Sequence, residues 1–400
     1  MHLHNTTCLQ RQRGYVLLSM VAVIGLLTAT AATSIGETAL VRQLSDKNKM
    51  VLAKAREALI SRAASDANHP GSLPCPDAVT NIPGNNIPND GIADLLSGTA
   101  CPSAIGRLPW RTLGLPDLRD ADGERLWYLL APAYQDSTAK IINPSTGGQI
   151  AGYECTENAP ASPVWPCAAP RLVSPAPWVA VIFAPGKLLP GQNRDAAHTA
   201  DVLQFLESYN AAEPLKLRTA AAGGAHNDRL SGITADDLFA IVQRRVAREV
   251  QSALSIYHAT ATTAGQTRLP VTASQCTSST LCDAAPLAAV PPATARGYLP
   301  SNDSRLNQIM AAQNMSWFDR NHWRNTMTYT MDTRCATERA GEPCGMALAT
   351  ASTPLFASGT LLIGGANNAV PNGTRAIISF AGVNTISGGT TKTRLAFAIQ

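Results

Sequence analysis

The chain has 400 residues, too many for one small domain and enough for two with real cores. Charged residues make up 15% and hydrophobic residues 45%, with 29 glycines and 27 prolines, so the chain reads as globular and loop-rich. The formal net charge of +4 is too small to mark a polyanion binder, and the best basic cluster, Arg244, Arg245 and Arg248, reads as the solvent face of a helix, so no nucleic-acid partner is expected.

The first element is a run without charge between Arg13 and Glu37. Tyr15 to Ile35 is 21 residues, which as a helix would reach roughly 31 Å, enough to cross the hydrocarbon core of a bilayer. Arg11 and Arg13 precede it, so the positive-inside tendency predicts a cytoplasmic N-terminus and export of everything after Glu37. A cleaved signal peptide, with Ala29-Thr30-Ala31 as its cut site, and a plain signal anchor are the ordinary alternatives.

Gly14 stands directly before the apolar run, followed by the aromatic Tyr15. Over residues 11 to about 64 this resembles the leader and N-terminal helix of type IV pilins and type II secretion pseudopilins. The resemblance implies cleavage by a prepilin peptidase between Gly14 and Tyr15, methylation of Tyr15, and bundling of the helix with those of other pilins or pseudopilins at the inner membrane. The family's glutamate at the fifth mature position is here Ser19. Within pseudopilins its absence goes with a minor subunit at the filament tip, because a tip subunit has no N-terminal amine of a further subunit to neutralise.

The helix is expected to continue past the apolar run. Leu44, Val51, Ala55, Ala58 and Leu59 fall on one face, while Arg42, Asp46, Lys47, Lys49, Lys54 and Arg56 occupy others. A continuous helix from Tyr15 to about Ala64 would measure on the order of 75 Å.

Beyond residue 65 the chain runs through one plan twice. Leu73-Pro74-Cys75, Gly106-Arg107-Leu108-Pro109, Leu126 to Leu130 and Trp178 to Gly186 are followed in the same order by Leu269-Pro270, Gly297-Tyr298-Leu299-Pro300, Trp323 to Tyr329 and Arg375 to Gly382. A helix over Ala235 to His258 opens the second pass, with Thr234 and Asp237 forming a capping box. Strands are expected at 126–130, 178–183, 327–331, 360–363, 376–380 and 394–399 from β-branched and aromatic alternation between turn residues.

The expected fold is α+β: a long N-terminal membrane-spanning helix continuing into a pilin-like head of short antiparallel strands, with two duplicated α+β modules. The divisions are a leader over 1–14, the membrane and amphipathic helix over 15–64, a first module over 65–230 and a second over 231–400.

Nine cysteines are present, and cleavage after Gly14 removes Cys8. An even set of eight in an exported chain reads as disulfides, grouped locally as Cys75 with Cys101, Cys155 with Cys167, Cys276 with Cys282, and Cys335 with Cys344. No Cys-x-x-Cys occurs, which leaves zinc ligation by cysteine without support.

The stretch from Leu115 to Tyr128 resembles the Asp-Pro-Trp-Gly-x-x-Tyr turn and strand of major pseudopilins through Asp120, Gly123 and the aromatics after them. Asp117, Asp120, Asp122 and Glu124 offer hard oxygen ligands for calcium, as do Asn86, Asn89, Asp90 and Asp94, although turn chemistry explains both groups. Catalysis has little support. Ser137-Thr138-Ala139-Lys140 fits Ser-x-x-Lys, yet Lys392-Thr393 is followed by Arg394 rather than glycine, and the seven histidines lack ligand or triad spacing. The expected function is that of a minor pseudopilin or pilin-like subunit that initiates or caps a filament, inner-membrane bound with a periplasmic head. The alternatives are a membrane-anchored binding or adhesive domain and a periplasmic serine hydrolase using Ser137 and Lys140.

Overall fold

The computed structural model describes residues 42–81, 87–154, 171–173, 176–209, 211–219, 226–261, 267–276, 281–284, 294–332, 335, 361–363, 366–367, 375–381 and 394–399. The first half comprises helix α1 (42–65) and strands β1 (Ile105–Arg107), β2 (Trp127–Leu130), β3 (Ala151–Glu154), β4 (Arg171–Leu172), β5 (Trp178–Ala184), β6 (Lys216–Thr219) and β7 (Arg229–Thr234). The second begins with α2 (Ala235–Ala259) and β8 (Ala273–Cys276), β9 (Cys282–Ala284) and β10 (Thr294–Gly297). It ends with α3 (Ser304–Ala312), α4 (Ser316–Arg320), β11 (Met327–Asp332), β12 (Leu361–Ile363), β13 (Ala366–Asn367), β14 (Ala376–Ala381) and β15 (Arg394–Ile399).

Two features of the expected fold need correction. Among the described residues no helix is long and apolar enough to cross a membrane. The physical reason is plain in α1, whose exposed Arg42, Asp46, Lys47, Lys49 and Lys54 could not be left in lipid. Residues 1–41, which carry Gly14, Tyr15 and Ser19, lie outside the described residues. The sheets are not purely antiparallel either, since β3 pairs with β6 and β12 with β15 in parallel. Strand β7 pairs with β5 as far as Thr234 and runs straight into α2.

Helix α1 buries Asn48, Leu52, Ala55, Leu59 and Ala63, spaced by four, three, four and four, so one stripe faces the core. Its polar members tie it to the turn at Ala121, to α2 and to β7. Asn48 Oδ1 accepts from the Ala121 N–H at 2.6 Å, and Arg56 pairs with Asp237 at 2.7 Å while donating to the Gly232 carbonyl at 3.3 Å. Helix α2 starts on the full capping box of Thr234 and Asp237 and buries Leu238, Val242, Val246, Val250 and Leu254.

The two larger sheets share an order and a register. Strands β1-β2-β5-β7 form one antiparallel series and β10-β11-β14-β15 another. Across the first, Gly106 lies opposite Tyr128 and Tyr128 opposite Ile182; across the second, Gly297 lies opposite Tyr329 and Tyr329 opposite Ile378. Both glycines are needed where another strand of chain crosses them. A Cβ on Gly106 would lie 2.4 Å from the Asp77 carbonyl oxygen, and one on Gly297 would lie 2.1 Å from that of Ala273. Asp77 exchanges hydrogen bonds with Arg107 at 3.0 and 2.8 Å, as Ala273 does with Tyr298 at 2.9 Å in both directions.

One hydrophobic core contains residues of both halves. A chain of aromatic contacts runs from Tyr134 to Phe239 (6.4 Å between centroids), from Phe239 to Trp323 (6.0 Å) and from Trp323 to Phe380 (6.2 Å). Disulfides join Cys75 to Cys101 and Cys276 to Cys282. Cys335 is also disulfide-bonded, while Cys155, Cys167 and Cys344 lie outside the described residues.

Candidate functional site

The residues singled out as calcium ligands are drawn into a different task. Asp120 is fully buried, its Oδ1 accepting from the N–H groups of Asp122 (2.9 Å) and Glu124 (2.8 Å) and its Oδ2 from that of Gly186 (2.7 Å). Its oxygens thus shape the turn and anchor it to the end of β5. Asp117 pairs with Arg119 at 2.8 Å and Arg125 at 3.2 Å, and Glu124 pairs with Arg194 at 3.3 Å. These carboxylates are not gathered around a common point among the described residues, and Asp122 joins the group through its backbone N–H to Asp120.

The second acidic group is likewise turn chemistry. Buried Asp77 accepts from the N–H groups of Asn89 (2.9 Å) and Gly91 (2.7 Å), and Asp94 from that of Ala78 (3.0 Å). Burial, opposed by the Gly91 N–H and reinforced by the charge of Asp90, pushes the Asp77 carboxyl from 3.8 up to about 6. Asn86 lies outside the described residues.

Arg194 carries the network onward from the turn. It donates to the Gly186 carbonyl at 2.8 Å, the Gln204 carbonyl at 2.8 Å and Gln192 Oε1 at 2.9 Å. Gln192 donates in turn to Glu207 Oε1 at 2.5 Å. Glu207 Oε2 accepts from the backbone N–H groups of Asn227 (3.1 Å) and Asp228 (3.2 Å), just before β7. The loop after β5 is thereby bound to the start of β7, and a polar cluster of Glu207, Ser208, His226 and Asp228 closes between them.

Within that cluster Ser208 Oγ lies 3.0 Å from His226 Nε2, and Asp228 Oδ2 accepts from the Ser208 N–H at 3.1 Å. Asp228 Oδ1 lies 3.2 Å from the same His226 Nε2. Burial, and after it the neighbouring Glu207, push the Asp228 carboxyl well above the usual carboxylate range. Burial lowers the His226 imidazole, although the charge of Glu207 opposes this.

Serine, histidine and aspartate occur together here, but the geometry is not that of an acyl-transfer triad. Hydroxyl and carboxylate approach one ring nitrogen instead of opposite ones, and Ser208 is 1% exposed, beyond the reach of a substrate. What the arrangement offers is a convergent set of donor atoms: one each from Glu207, His226 and Asp228 lie within 4.8 Å of one another.

Ser137 is buried and its Oγ accepts from the Ala139 N–H at 3.4 Å, while the Lys140 N–H donates to the Ser137 carbonyl at 2.9 Å. The segment is a turn, with its hydroxyl turned to the backbone. Sequence reading set His226 aside for want of ligand spacing. The available signal was His226-Asn227-Asp228, in which alternate residues of an extended segment point to one side. Comparison with protein-family models, curated proteins and solved structures returns no match for this chain.

Proposed function

We propose that this chain is an exported subunit of the type IV pilin and type II secretion pseudopilin kind, serving at an initiating or tip position of a filament. The observation that carries the reading is α1 (42–65), an amphipathic helix whose apolar stripe shares one core with the strands of the antiparallel β1-β2-β5-β7 sheet and which follows in sequence the Gly14-Tyr15 processing pattern. The disulfides Cys75–Cys101 and Cys276–Cys282 favour a head folded in an oxidising compartment, here the periplasmic side of the inner membrane. In this reading residues from Tyr15 onward bundle with equivalent segments of other subunits, and Ser19 in place of a carboxylate suits a position that does not recur along the filament.

A second reading, an exported binding or adhesive domain, has one observation in its favour. Ile87 and Leu95 are 73% and 61% exposed in the segment after the Asp77 turn, apolar area that a binding partner could cover.

Intact-mass and N-terminal peptide analysis of the full chain, made with and without a prepilin peptidase, separates the two. A chain beginning at N-methylated Tyr15 only with the peptidase present is the expected result. A start near Ala32, or an uncut Met1, overturns the filament reading and leaves the binding domain.

A further inference from the structure

We infer that Glu207, His226 and Asp228 bind one divalent transition-metal cation of the zinc class. The site does not depend on the filament reading, since it rests on side chains of the head alone.

Two of the three side chains are nine-tenths buried or more: that of Asp228 is 0% and that of His226 9% exposed. Asp228 Oδ1 accepts no hydrogen bond, and His226 Nδ1 makes none. His226 Nε2 lies 3.0 Å from Ser208 Oγ and 3.2 Å from Asp228 Oδ1. A buried carboxyl oxygen and a buried imidazole nitrogen are thus left without a hydrogen-bond partner, which is costly unless a cation sits against the cluster.

The spacing suits such an ion. The 3.2 Å between Oδ1 and Nε2 is close to the edge of about 3.3 Å that separates neighbouring ligands of a tetrahedral ion bound at about 2.0–2.1 Å. The remaining oxygens are held as outer-sphere partners hold metal ligands. Gln192 and the Asn227 and Asp228 N–H groups fix Glu207, and the Ser208 N–H fixes Asp228, while each carboxylate keeps lone pairs in reserve. Glu207 is half-buried and opens the cluster to solvent. One imidazole with two carboxylates selects zinc-class ions over calcium or magnesium, which prefer oxygen alone.

The test uses the tag-free full chain, stripped with a chelator and titrated with Zn²⁺ alone and with Co²⁺ alone. One equivalent should bind, with a visible d–d band for Co²⁺, and X-ray absorption at the zinc edge should show only nitrogen and oxygen ligands with one imidazole. His226→Gln and Asp228→Asn should each weaken binding at least about 100-fold and abolish the band. His198→Gln, which alters the exposed His198–Asp195 pair, should leave both unchanged. Absence of stoichiometric binding, sulfur or several imidazoles at the zinc, or unchanged affinity in folded His226→Gln protein would overturn the assignment. The first two readouts need no variant, so misfolding of a mutant leaves the question decided.

Discussion

Asn321 Oδ1 accepts from His69 Nε2 at 3.0 Å across the two halves of the chain, from a position with no solvent exposure. The same oxygen accepts from the Ile142 N–H at 3.0 Å, while Asn143 Nδ2 donates to the Asn321 carbonyl at 2.8 Å. One side chain of the second half thus satisfies two buried donors of the first, and the halves share a core rather than touching through a wet interface.

Asn321→Ala would leave the His69 and Ile142 donors buried without an acceptor. A loss of about 2–4 kcal/mol is expected, read as a lower midpoint in urea unfolding. Probes placed in both halves should move together; a shift confined to the second half would contradict the shared core.

Asp77 makes stability depend on pH. Its carboxyl is raised from 3.8 to about 6 in the folded chain, so the folded state holds the proton more tightly than the unfolded one. The stabilisation is complete below about pH 4 and is lost as pH rises through about 6. Unfolding free energy measured across that window should fall with rising pH from this group, and Asp77→Asn should flatten the slope there.

Gly106→Ala and Gly297→Ala each place a methyl group against a carbonyl oxygen, at 2.4 and 2.1 Å. Each should cost about 1–3 kcal/mol by forcing the crossing chain away, seen as a lower Tm. Gly147→Ala, with nothing within 4 Å of its Cβ position, is the matched control and should stay near wild type.

The two disulfides should differ in worth. Cys75–Cys101 closes a separation of 26 residues and Cys276–Cys282 one of 6. Loop-closure entropy gives about 3.5 and about 2.2 kcal/mol respectively. Paired Cys→Ser variants compared by denaturant unfolding under oxidising conditions check the order; a larger loss at the shorter loop would count against an entropic origin.

The cluster of Glu207, His226 and Asp228 was not legible in the sequence, and its residues show why. His226 and Asp228 are neighbours along the chain, but neither makes a site without Glu207. That residue arrives only because Gln192, Arg194 and the N–H groups ahead of β7 draw the loop after β5 into place. The acidic turn around Asp120 was visible as a turn, and its oxygens went to backbone N–H groups close by and to Gly186. Carboxylates in such a turn look alike in sequence whether they meet a metal ion or the chain itself.

The amino-acid sequence by itself determined the local elements: the strands around Trp127, Val181, Tyr329 and Ile378, helix α2 with the Thr234–Asp237 cap, and the short-range disulfides Cys75–Cys101 and Cys276–Cys282. Alternation, capping and short loop closure act between residues near one another in the chain, so their energetics are present in a short window. Tertiary structure alone decided that β12 runs parallel to β15, that His69 meets Asn321 252 residues away, and that Glu207 joins His226 and Asp228. Those outcomes depend on how the whole core excludes water, because a buried polar atom must take its partner from whatever packing brings within reach.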